Sequence, residues 1–152
     1  MPSKAQYEMK GSSDMARVLI IDAGVKSGWT KAAADRMAEL LQKDASIEID
    51  RVNIRDEQIA PCTGCAICLE RGEERCRNHG DSAEGIIKKM LEADGIITVS
   101  PNYSLQVPAM LKNVYDRLAY VFHRPRLFGR LSMAVAVQEY TAAARLLATS
   151  TR

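Results

Sequence analysis

Four short segments of the chain combine a high apolar content with β-branched residues, which is the pattern of β-strands. Residues 17–22, 95–100 and 131–137 are almost continuously apolar, and such runs predict strands that are buried on both faces of a sheet. Residues 47–52 instead alternate between apolar and charged positions, which predicts a half-buried strand at the edge of the same sheet.

Apolar residues at helical spacing predict four helices in the segments that follow these strands. We expect the first helix to be capped by Thr30, the second to begin at Ser82, the third to span residues 108–121 and the fourth residues 141–149. Pro108 suits the first turn of the third helix. The apolar faces of the first two helices are expected to comprise Ala33, Met37, Leu40 and Leu41, and Ile86, Ile87, Met90 and Leu91.

Strands that alternate with helices predict an α/β fold with a parallel sheet and right-handed crossovers. In such a sheet the ligand lies beyond the carboxyl ends of the strands, where the strand order reverses. Three connections leave from that edge, over residues 22–30, 54–81 and 101–107, and we therefore expect them to lie together. We expect a single domain over residues 15–152, preceded by a loose arm formed by residues 1–14.

The charge balance of the chain argues against two classes of partner. The 152 residues include 21 Lys and Arg and 19 Asp and Glu, a net charge of +2, which gives no reason to expect binding to nucleic acid or an anionic membrane. No apolar run approaches the ~20 residues that span a bilayer. Nothing at the N-terminus resembles a secretory signal, so we expect a cytoplasmic protein whose thiols stay reduced.

All four cysteines of the chain lie in the connection over residues 54–81, at Cys62, Cys65, Cys68 and Cys76. Two successive two-residue gaps let three thiolates converge from one short loop, and the fourth can fold back to complete a tetrahedral set. A [4Fe–4S] cluster requires four thiolates in such an arrangement, and the bacterial ferredoxin run begins with the same two gaps. The spacing therefore favours a cluster or metal site.

Three other interpretations of the cysteine pattern compete with a cluster. A structural zinc ion also uses four thiolates, although usually as two separated pairs. The loop could also be an inherited one that binds nothing. A disulfide framework is disfavoured, because a chain of this size needs no covalent staples and shows no secretory signal.

The connection after the first strand carries residues suited to an anion. Lys26, Ser27, Gly28 and Thr30 directly precede a predicted helix. Amide groups at a helix start, together with hydroxyls and a lysine, form a natural phosphate cradle. The sequence is neither a Walker loop nor the GxGxxG dinucleotide pattern, and an ordinary polar turn explains the same residues.

The connection after the third strand carries residues suited to a planar ring. Tyr103 offers an apolar face on which a ring can stack, and Asn102 and the backbone amides can donate hydrogen bonds to ring heteroatoms. Pro101 fixes the direction of the chain at this point. A tyrosine that packs on the surface or borders a protein interface is the alternative explanation.

The order of these motifs resembles that of the flavodoxin-like NAD(P)H-dependent FMN reductases, and most closely their iron–sulfur flavoprotein branch. The resemblance covers residues 17–137. It is carried by Lys-Ser-Gly-Trp-Thr from residue 26, Pro-Cys-Thr-Gly-Cys-Ala-Ile-Cys from residue 61, Ser-Pro-Asn-Tyr from residue 100 and Leu-Lys-Asn-Val-Tyr-Asp-Arg from residue 111. It implies a flavodoxin-like, doubly wound parallel sheet.

The resemblance also implies FMN between the first and third strands, a cysteine-bound cluster and a homo-oligomer. By position, the FMN phosphate would be surrounded by Lys26, Ser27, Gly28, Trp29 and Thr30. The isoalloxazine ring would be bordered by Pro101, Asn102, Tyr103 and Ser104. The cluster would be bound by Cys62, Cys65, Cys68 and Cys76. Such proteins are typically homodimers or homotetramers in which the cluster of one subunit can serve the flavin of another, with NAD(P)H or a ferredoxin-like protein as electron donor.

Three features depart from the pattern of that family. Asp22 and Ala23 stand where the first loop usually opens with Gly-Ser-Pro, which removes a phosphate-binding hydroxyl and introduces a carboxylate. The acidic pair after the last cysteine is reduced to Asp81 followed by Ser82. The chain ends at Arg152, before the fifth strand and final helix of the fold, so we expect a sheet shortened at its C-terminal side.

The main functional hypothesis is an oxidoreductase that transfers electrons between a cysteine-bound cluster and FMN. A second hypothesis is an NAD(P)H-dependent flavin or quinone reductase whose cysteines are empty. A third is an interaction subunit that binds zinc or no cofactor at all. The sequence offers no Ser–His–Asp or Cys–His catalytic set, so no side chain is expected to act as a nucleophile.

Overall fold

The computed structural model describes residues 15–138 of the chain. The expected arm over residues 1–14, the expected helix over residues 141–149 and the expected shortening of the sheet after the fourth strand all lie outside the described residues. Between residues 15 and 138, no helix has the length and apolar character required to cross a lipid bilayer.

Four parallel strands form one sheet, in the spatial order β2-β1-β3-β4. The strands are β1 (Ala16–Asp22), β2 (Ile47–Asn53), β3 (Gly95–Pro101) and β4 (Leu131–Val137). All four predicted strands are confirmed, and β2 lies at an edge of the sheet as its alternating pattern predicts. The order reverses between β1 and β3, which is the flavodoxin-like arrangement, so the predicted fold class is confirmed.

The register of the sheet brings the carboxyl ends of the strands to one level. Asp22, the last residue of β1, pairs with Asn53 at the end of β2 and with Val99 near the end of β3. The connections that follow these three strands therefore leave from the same edge of the sheet. This edge is where an open parallel sheet places its ligand.

Helices flank the sheet and fill the connections between its strands. They are α1 (Trp29–Leu41), α2 (Ile67–Glu70), α3 (Ser82–Glu92), α4 (Ala109–Arg117) and α5 (Ala119–His123). Two short 3₁₀ turns, at Ile54–Asp56 and Glu73–Arg75, lie with α2 in the long connection that carries the cysteines. That connection therefore contains regular secondary structure of its own.

The central strand β1 divides its side chains between two apolar cores. Leu19 and Ile21 belong to the larger core, which lies on the side of α3, α4 and α5. Ile20 points to the other face, where it packs with Ala34 and Ala38 of α1. Because successive side chains of a strand alternate between faces, a continuously apolar β1 fits a sheet covered on both sides.

The start of α1 differs from the prediction that Thr30 caps the helix. Gly28 occupies the N-cap position with a φ of 152° and no side-chain hydrogen bond to the helix, and Thr30 is buried in the first turn. Ala34 and Ala38 follow Thr30 at four-residue spacing and face the sheet. Leu40, predicted to be in the core, is 44% exposed because the buried face of α1 is centred on these smaller residues.

The predicted helix over residues 108–121 is divided into α4 and α5. Leu118 separates them with a ψ of 3°, and its amide donates to the Tyr115 carbonyl at 3.1 Å, which is a tighter turn than an α-helix makes. Pro108 lies at the N-cap of α4, with an extended ψ of 146°, instead of inside the first turn. Because the helix is divided here, the side chains of Tyr120 and Val121 in α5 point into the larger core.

Candidate functional site

The three connections predicted to lie together touch one another at the start of the cysteine-bearing connection. The Lys26 ammonium, from the connection after β1, lies 3.2 Å from the Asp56 carboxylate. The Arg55 guanidinium donates to the Tyr103 hydroxyl, in the connection after β3, at 3.5 Å. Two neighbouring residues that follow β2 therefore bridge to both of the other connections.

All four cysteines line a single cavity of about 120 Å³. Gly64 and Ala66 adopt left-handed backbone conformations, with φ values of 66° and 58°, and so turn the short Cys-x-x-Cys-x-x-Cys segment back on itself. Helix α2 then carries Cys68, and Cys76 follows the second 3₁₀ turn. Asp116, Arg117 and Tyr120 close the opposite side of the cavity. The sequence spacing thus produces one thiol-lined space.

The thiols influence one another's protonation, which places them in one electrostatic environment. The pKa of Cys68 is raised, first by burial and then by the neighbouring thiols of Cys76 and Cys62. The pKa of Cys65 is lowered by a hydrogen bond from the Thr63 hydroxyl and by a backbone amide. Ligation requires the thiolate form. The pKa values of two thiols in the same cavity are thus shifted in opposite directions.

A buried ion pair closes the cysteine-bearing connection at its base. The Arg117 guanidinium lies 2.7 Å from the Asp81 carboxylate, and their side chains are only 6% and 16% exposed. Arg117 also donates to the Asn78 carbonyl at 3.0 Å, and Asp81 accepts from the Ala60 amide at 2.9 Å. The Asn78 amide group in turn donates to the Pro61 carbonyl at 2.8 Å. We call these five residues the loop clamp, because they join the two ends of the cysteine segment.

The protonation of the loop clamp is that of a stable ion pair. Burial raises the pKa of the Asp81 carboxyl, but hydrogen bonds from Arg117 and from the Ala60 amide outweigh it and leave that pKa below its usual value. Burial lowers the pKa of Arg117, but the adjacent Asp81 carboxylate raises it by more, so this pKa lies above its usual value. Asp81 additionally caps α3 by accepting from the Ala83 amide at 3.1 Å. One carboxylate therefore fixes both the loop and the following helix.

A second contact ties the rim of the cavity to the segment after α5. The Glu73 carboxylate lies 2.7 Å from the Arg126 guanidinium and 3.8 Å from that of Arg124. His79, which also lines the cavity, is 3.0 Å from the Glu84 carboxylate. Two titratable side chains of the cavity wall, Glu73 and His79, are thus paired with other residues of the chain.

The donor groups are not arranged for a single metal ion. No three His, Cys, Asp or Glu side chains in the part of the chain that the structure describes converge closely enough to hold one ion. The cavity of about 120 Å³ also exceeds the roughly 10–15 Å³ that one water molecule needs. A space of this size, lined by four thiols, fits a group of several atoms better than a lone cation.

The connection after β1 places backbone donors at the start of α1. Gly28 leaves the helix without a side-chain cap, and the first turn contains no acidic residue. The Gly24 amide, however, donates at 2.8 Å to the carboxylate of Asp22, which is only 3% exposed. The side chain of Trp29 is 84% exposed and does not pack in the core. A carboxylate of the chain thus engages the Gly24 amide, two residues before the predicted anion cradle begins at Lys26.

The connection after β3 contains a buried acceptor without a partner. Asn102 donates through its side-chain amide to Gln138, and its backbone amide donates to the Val137 carbonyl at 3.0 Å. Its side-chain oxygen is buried and has no hydrogen-bond partner among residues 15–138. Such an acceptor is costly unless a further donor reaches it. Asn102 is therefore suited to accept from a ligand N–H.

A tight turn follows Asn102 and exposes aromatic and apolar surface. Tyr103 and Gln106 pair with each other across the turn, and the two residues between them, Ser104 and Leu105, have left-handed φ values of 51° and 67°. Residues other than glycine adopt this conformation at a cost. The side chain of Tyr103 remains about half exposed. The contacts that join the three connections are made by Arg55 and Asp56, and not by the cysteines. That the thiols lie beside this turn therefore stays a prediction.

The loop clamp was not predicted from the sequence. One signal was present, because Leu111, Val114 and Arg117 follow one another at three-residue spacing and all three are buried. An arginine on the apolar stripe of a helix requires a buried acceptor, since a charge is rarely buried without a partner. The identity of that acceptor, Asp81, depends on the tertiary fold and not on local spacing.

Comparison with known proteins identifies relatives over most of the chain. The model of the family described as NADPH-dependent FMN reductase matches residues 16–151. An iron-sulfur flavoprotein of Archaeoglobus fulgidus is 32% identical over 123 residues, which cover 81% of this chain and 54% of that protein. An iron-sulfur flavoprotein of Methanocaldococcus jannaschii is 39% identical over 94 residues, or 62% and 47% of the two chains. The chain thus spans about half the length of the curated relatives it matches.

A solved structure shares the fold at low sequence identity. The structure of RosB with a bound intermediate, 8-demethyl-8-formylriboflavin-5'-phosphate, superposes with a TM-score of 0.72 at 14% identity. The superposition covers 89% of this chain and 57% of RosB. At this identity the likeness concerns the fold alone.

Proposed function

Because the chain belongs to the NADPH-dependent FMN reductase family, we propose that it is a flavin-dependent oxidoreductase that transfers electrons between FMN and an iron–sulfur cluster. The observation that carries this proposal is the lining of one cavity by all four cysteines. The curated relatives bear the name iron-sulfur flavoprotein, which agrees with both parts of the proposal.

Family membership supports FMN as the flavin, and two connections supply residues that fit it. The uncapped start of α1 offers backbone donors for a phosphate, with Lys26, Ser27, Gly28, Trp29 and Thr30 as the proposed surroundings. The unpartnered oxygen of Asn102 fits a ring N–H. Pro101, Tyr103 and Ser104 complete the proposed border of the isoalloxazine.

The proposed ligands of the cluster are Cys62, Cys65, Cys68 and Cys76. The size of the cavity and the lack of a single-ion arrangement in residues 15–138 favour a cluster over structural zinc. When bound, a cluster would supply one-electron transfer beside a flavin that carries one or two electrons. The chain's own contribution is to orient the thiols, which the loop clamp does by fixing both ends of their segment.

The electron donor and the assembly are part of the same proposal. NAD(P)H is the donor that agrees with the family, and a ferredoxin-like protein is the alternative donor for the cluster. We also propose a homodimer or homotetramer, in which the cluster of one subunit can serve the flavin of another. No residue is proposed to act as a nucleophile.

Anaerobic purification of the full chain tests the cluster directly. We expect iron and acid-labile sulfide in equal amounts, with visible absorption from both cluster and flavin. Replacement of the central ligand, Cys68→Ser, should lower iron and sulfide together. The matched control Glu70→Gln changes another side chain of α2 and should retain both. Zinc without sulfide would instead identify the structural-zinc alternative.

A second candidate function is a flavin or quinone reductase that uses NAD(P)H and leaves the cysteines empty. The match of residues 16–151 to the NADPH-dependent FMN reductase family supports this candidate, since it requires no group bound by the cysteines. It predicts bound FMN with iron near zero after anaerobic purification. It also predicts that Cys68→Ser leaves the NAD(P)H oxidation rate unchanged.

A further inference from the structure

The first connection contains a carboxylate close to the start of α1, where we propose that the flavin phosphate binds. Asp22 is buried at the end of β1, and one of its oxygens accepts from the Gly24 amide at 2.8 Å. A Cβ atom added to Gly24 would lie 3.0 Å from that oxygen and 2.8 Å from the Cβ of Thr30. Asp22 and the first turn of α1 therefore enclose the same small space.

The positive side chain of the same connection is also engaged. Lys26 lies 3.2 Å from the carboxylate of Asp56, in an ion pair whose side chains are 83% and 54% exposed. An incoming phosphate would thus find two potential partners, the Gly24 amide and the Lys26 ammonium, already paired with carboxylates. It would also meet the negative charge of Asp22 in a buried setting, where like charges repel more strongly than in water.

We propose that Asp22 removes the usual affinity gain from the flavin phosphate, so that this chain binds FMN no more tightly than riboflavin. The inference rests on the proposed flavin site and specifies which part of the flavin holds it there. Recognition then depends on the ring and the ribityl chain, and one contact for the ring is the side-chain oxygen of Asn102, which has no hydrogen-bond donor among the described residues. A flavin held in this way exchanges with free flavin more readily than one anchored by its phosphate.

The test measures the dissociation constants of FMN and riboflavin for the full chain, by quenching of flavin fluorescence on titration with protein. For the wild type, we expect the two constants to agree within about threefold. Asp22→Asn keeps an oxygen acceptor for the Gly24 amide and removes the charge, so it should tighten FMN binding by about tenfold or more. Riboflavin binding should change by less than about twofold, since riboflavin carries no phosphate to repel.

Asp44→Asn provides the matched control. Asp44 follows the far end of α1 and bonds to Ser46, so its replacement changes the net charge equally without altering the first connection. This variant should leave both dissociation constants unchanged. An equal tightening of FMN in Asp44→Asn would mean that net charge, and not the position of Asp22, governs phosphate binding.

Two further outcomes overturn the inference in distinguishable ways. If the wild type binds FMN more than tenfold tighter than riboflavin, the phosphate contributes affinity and the inference fails, while the proposed flavin function stands. If neither flavin binds the wild type, the proposed function and the inference fail together. The wild-type comparison decides the matter even if Asp22→Asn does not fold, because it requires no substitution.

Discussion

Removal of the carboxylate from the loop clamp should destabilise the whole fold. Asp81→Ala leaves the Arg117 guanidinium buried without its ion-pair partner and removes the acceptors for the Ala60 and Ala83 amides. Breaking a buried pair from one side costs about 3–5 kcal/mol. Because a domain of this size is typically stable by only about 5–15 kcal/mol, the variant should lose a large part of its free energy of unfolding.

Urea denaturation at pH 7, followed by circular dichroism, measures this loss. With a slope of about 1–3 kcal/mol per molar urea, a loss of 3 kcal/mol lowers the midpoint by roughly 1–3 M. Asp50→Ala is the matched control, since Asp50 pairs with Lys89 at 3.0 Å but both side chains are about half exposed. An exposed pair contributes about 0–1 kcal/mol. Equal midpoints for the two variants would refute the structural role of the clamp.

The same comparison has a defined dependence on pH. The pKa of Asp81 is lower in the folded chain than the value of about 3.9 expected when the chain is unfolded. A carboxyl group whose pKa is lowered by folding contributes stability above its unfolded pKa and loses it as the pH falls through the folded value. The difference between wild type and Asp81→Ala should therefore be largest near neutral pH and shrink below about pH 4. A difference that grows on acidification would contradict the sign of this argument.

Two further predictions concern the cysteines and the turn after β3. In the metal-free chain at pH 8, Cys65 should react with iodoacetamide faster than Cys68, because the pKa of Cys65 is lowered and that of Cys68 is raised. Peptide mass spectrometry measures the order of modification, and the reverse order would contradict this prediction. Leu105→Gly should raise the free energy of unfolding by about 1 kcal/mol, since it relieves a left-handed conformation at a half-exposed position. Val25→Gly, at a position with ordinary backbone geometry, is the control and should lower it, as measured by urea denaturation.

The strands could be predicted from the sequence because burial on both faces leaves a pattern that needs no knowledge of tertiary contacts. The four apolar or alternating segments coincide with β1 to β4 to within a residue or two. The break between α4 and α5 could not be predicted in the same way, since apolar positions continue at helical spacing through Leu118. Only the packing of Tyr120 into the larger core reveals why the helix is divided there.

The candidate site was predictable in part for a similar reason. The cysteines are close in sequence, so their spacing alone indicates that they can share a cavity, and the structure brings all four to its walls. The pairing of Arg117 with Asp81 joins residues 36 positions apart, and nothing in local spacing specifies it. The engagement of Lys26 by Asp56 is likewise a tertiary contact, which the phosphate-cradle pattern did not indicate.

The hydrogen bond from Asn78 to the Pro61 carbonyl means that the thiol-bearing segment starts and finishes at nearly the same point in space. The two ends of this segment therefore attach to the fold side by side. The length and the residues of the segment can vary without moving β2 or α3. The cluster-binding segment that we propose is thus a separable insertion, and its transfer into a related flavin reductase would test whether electron transfer moves with it.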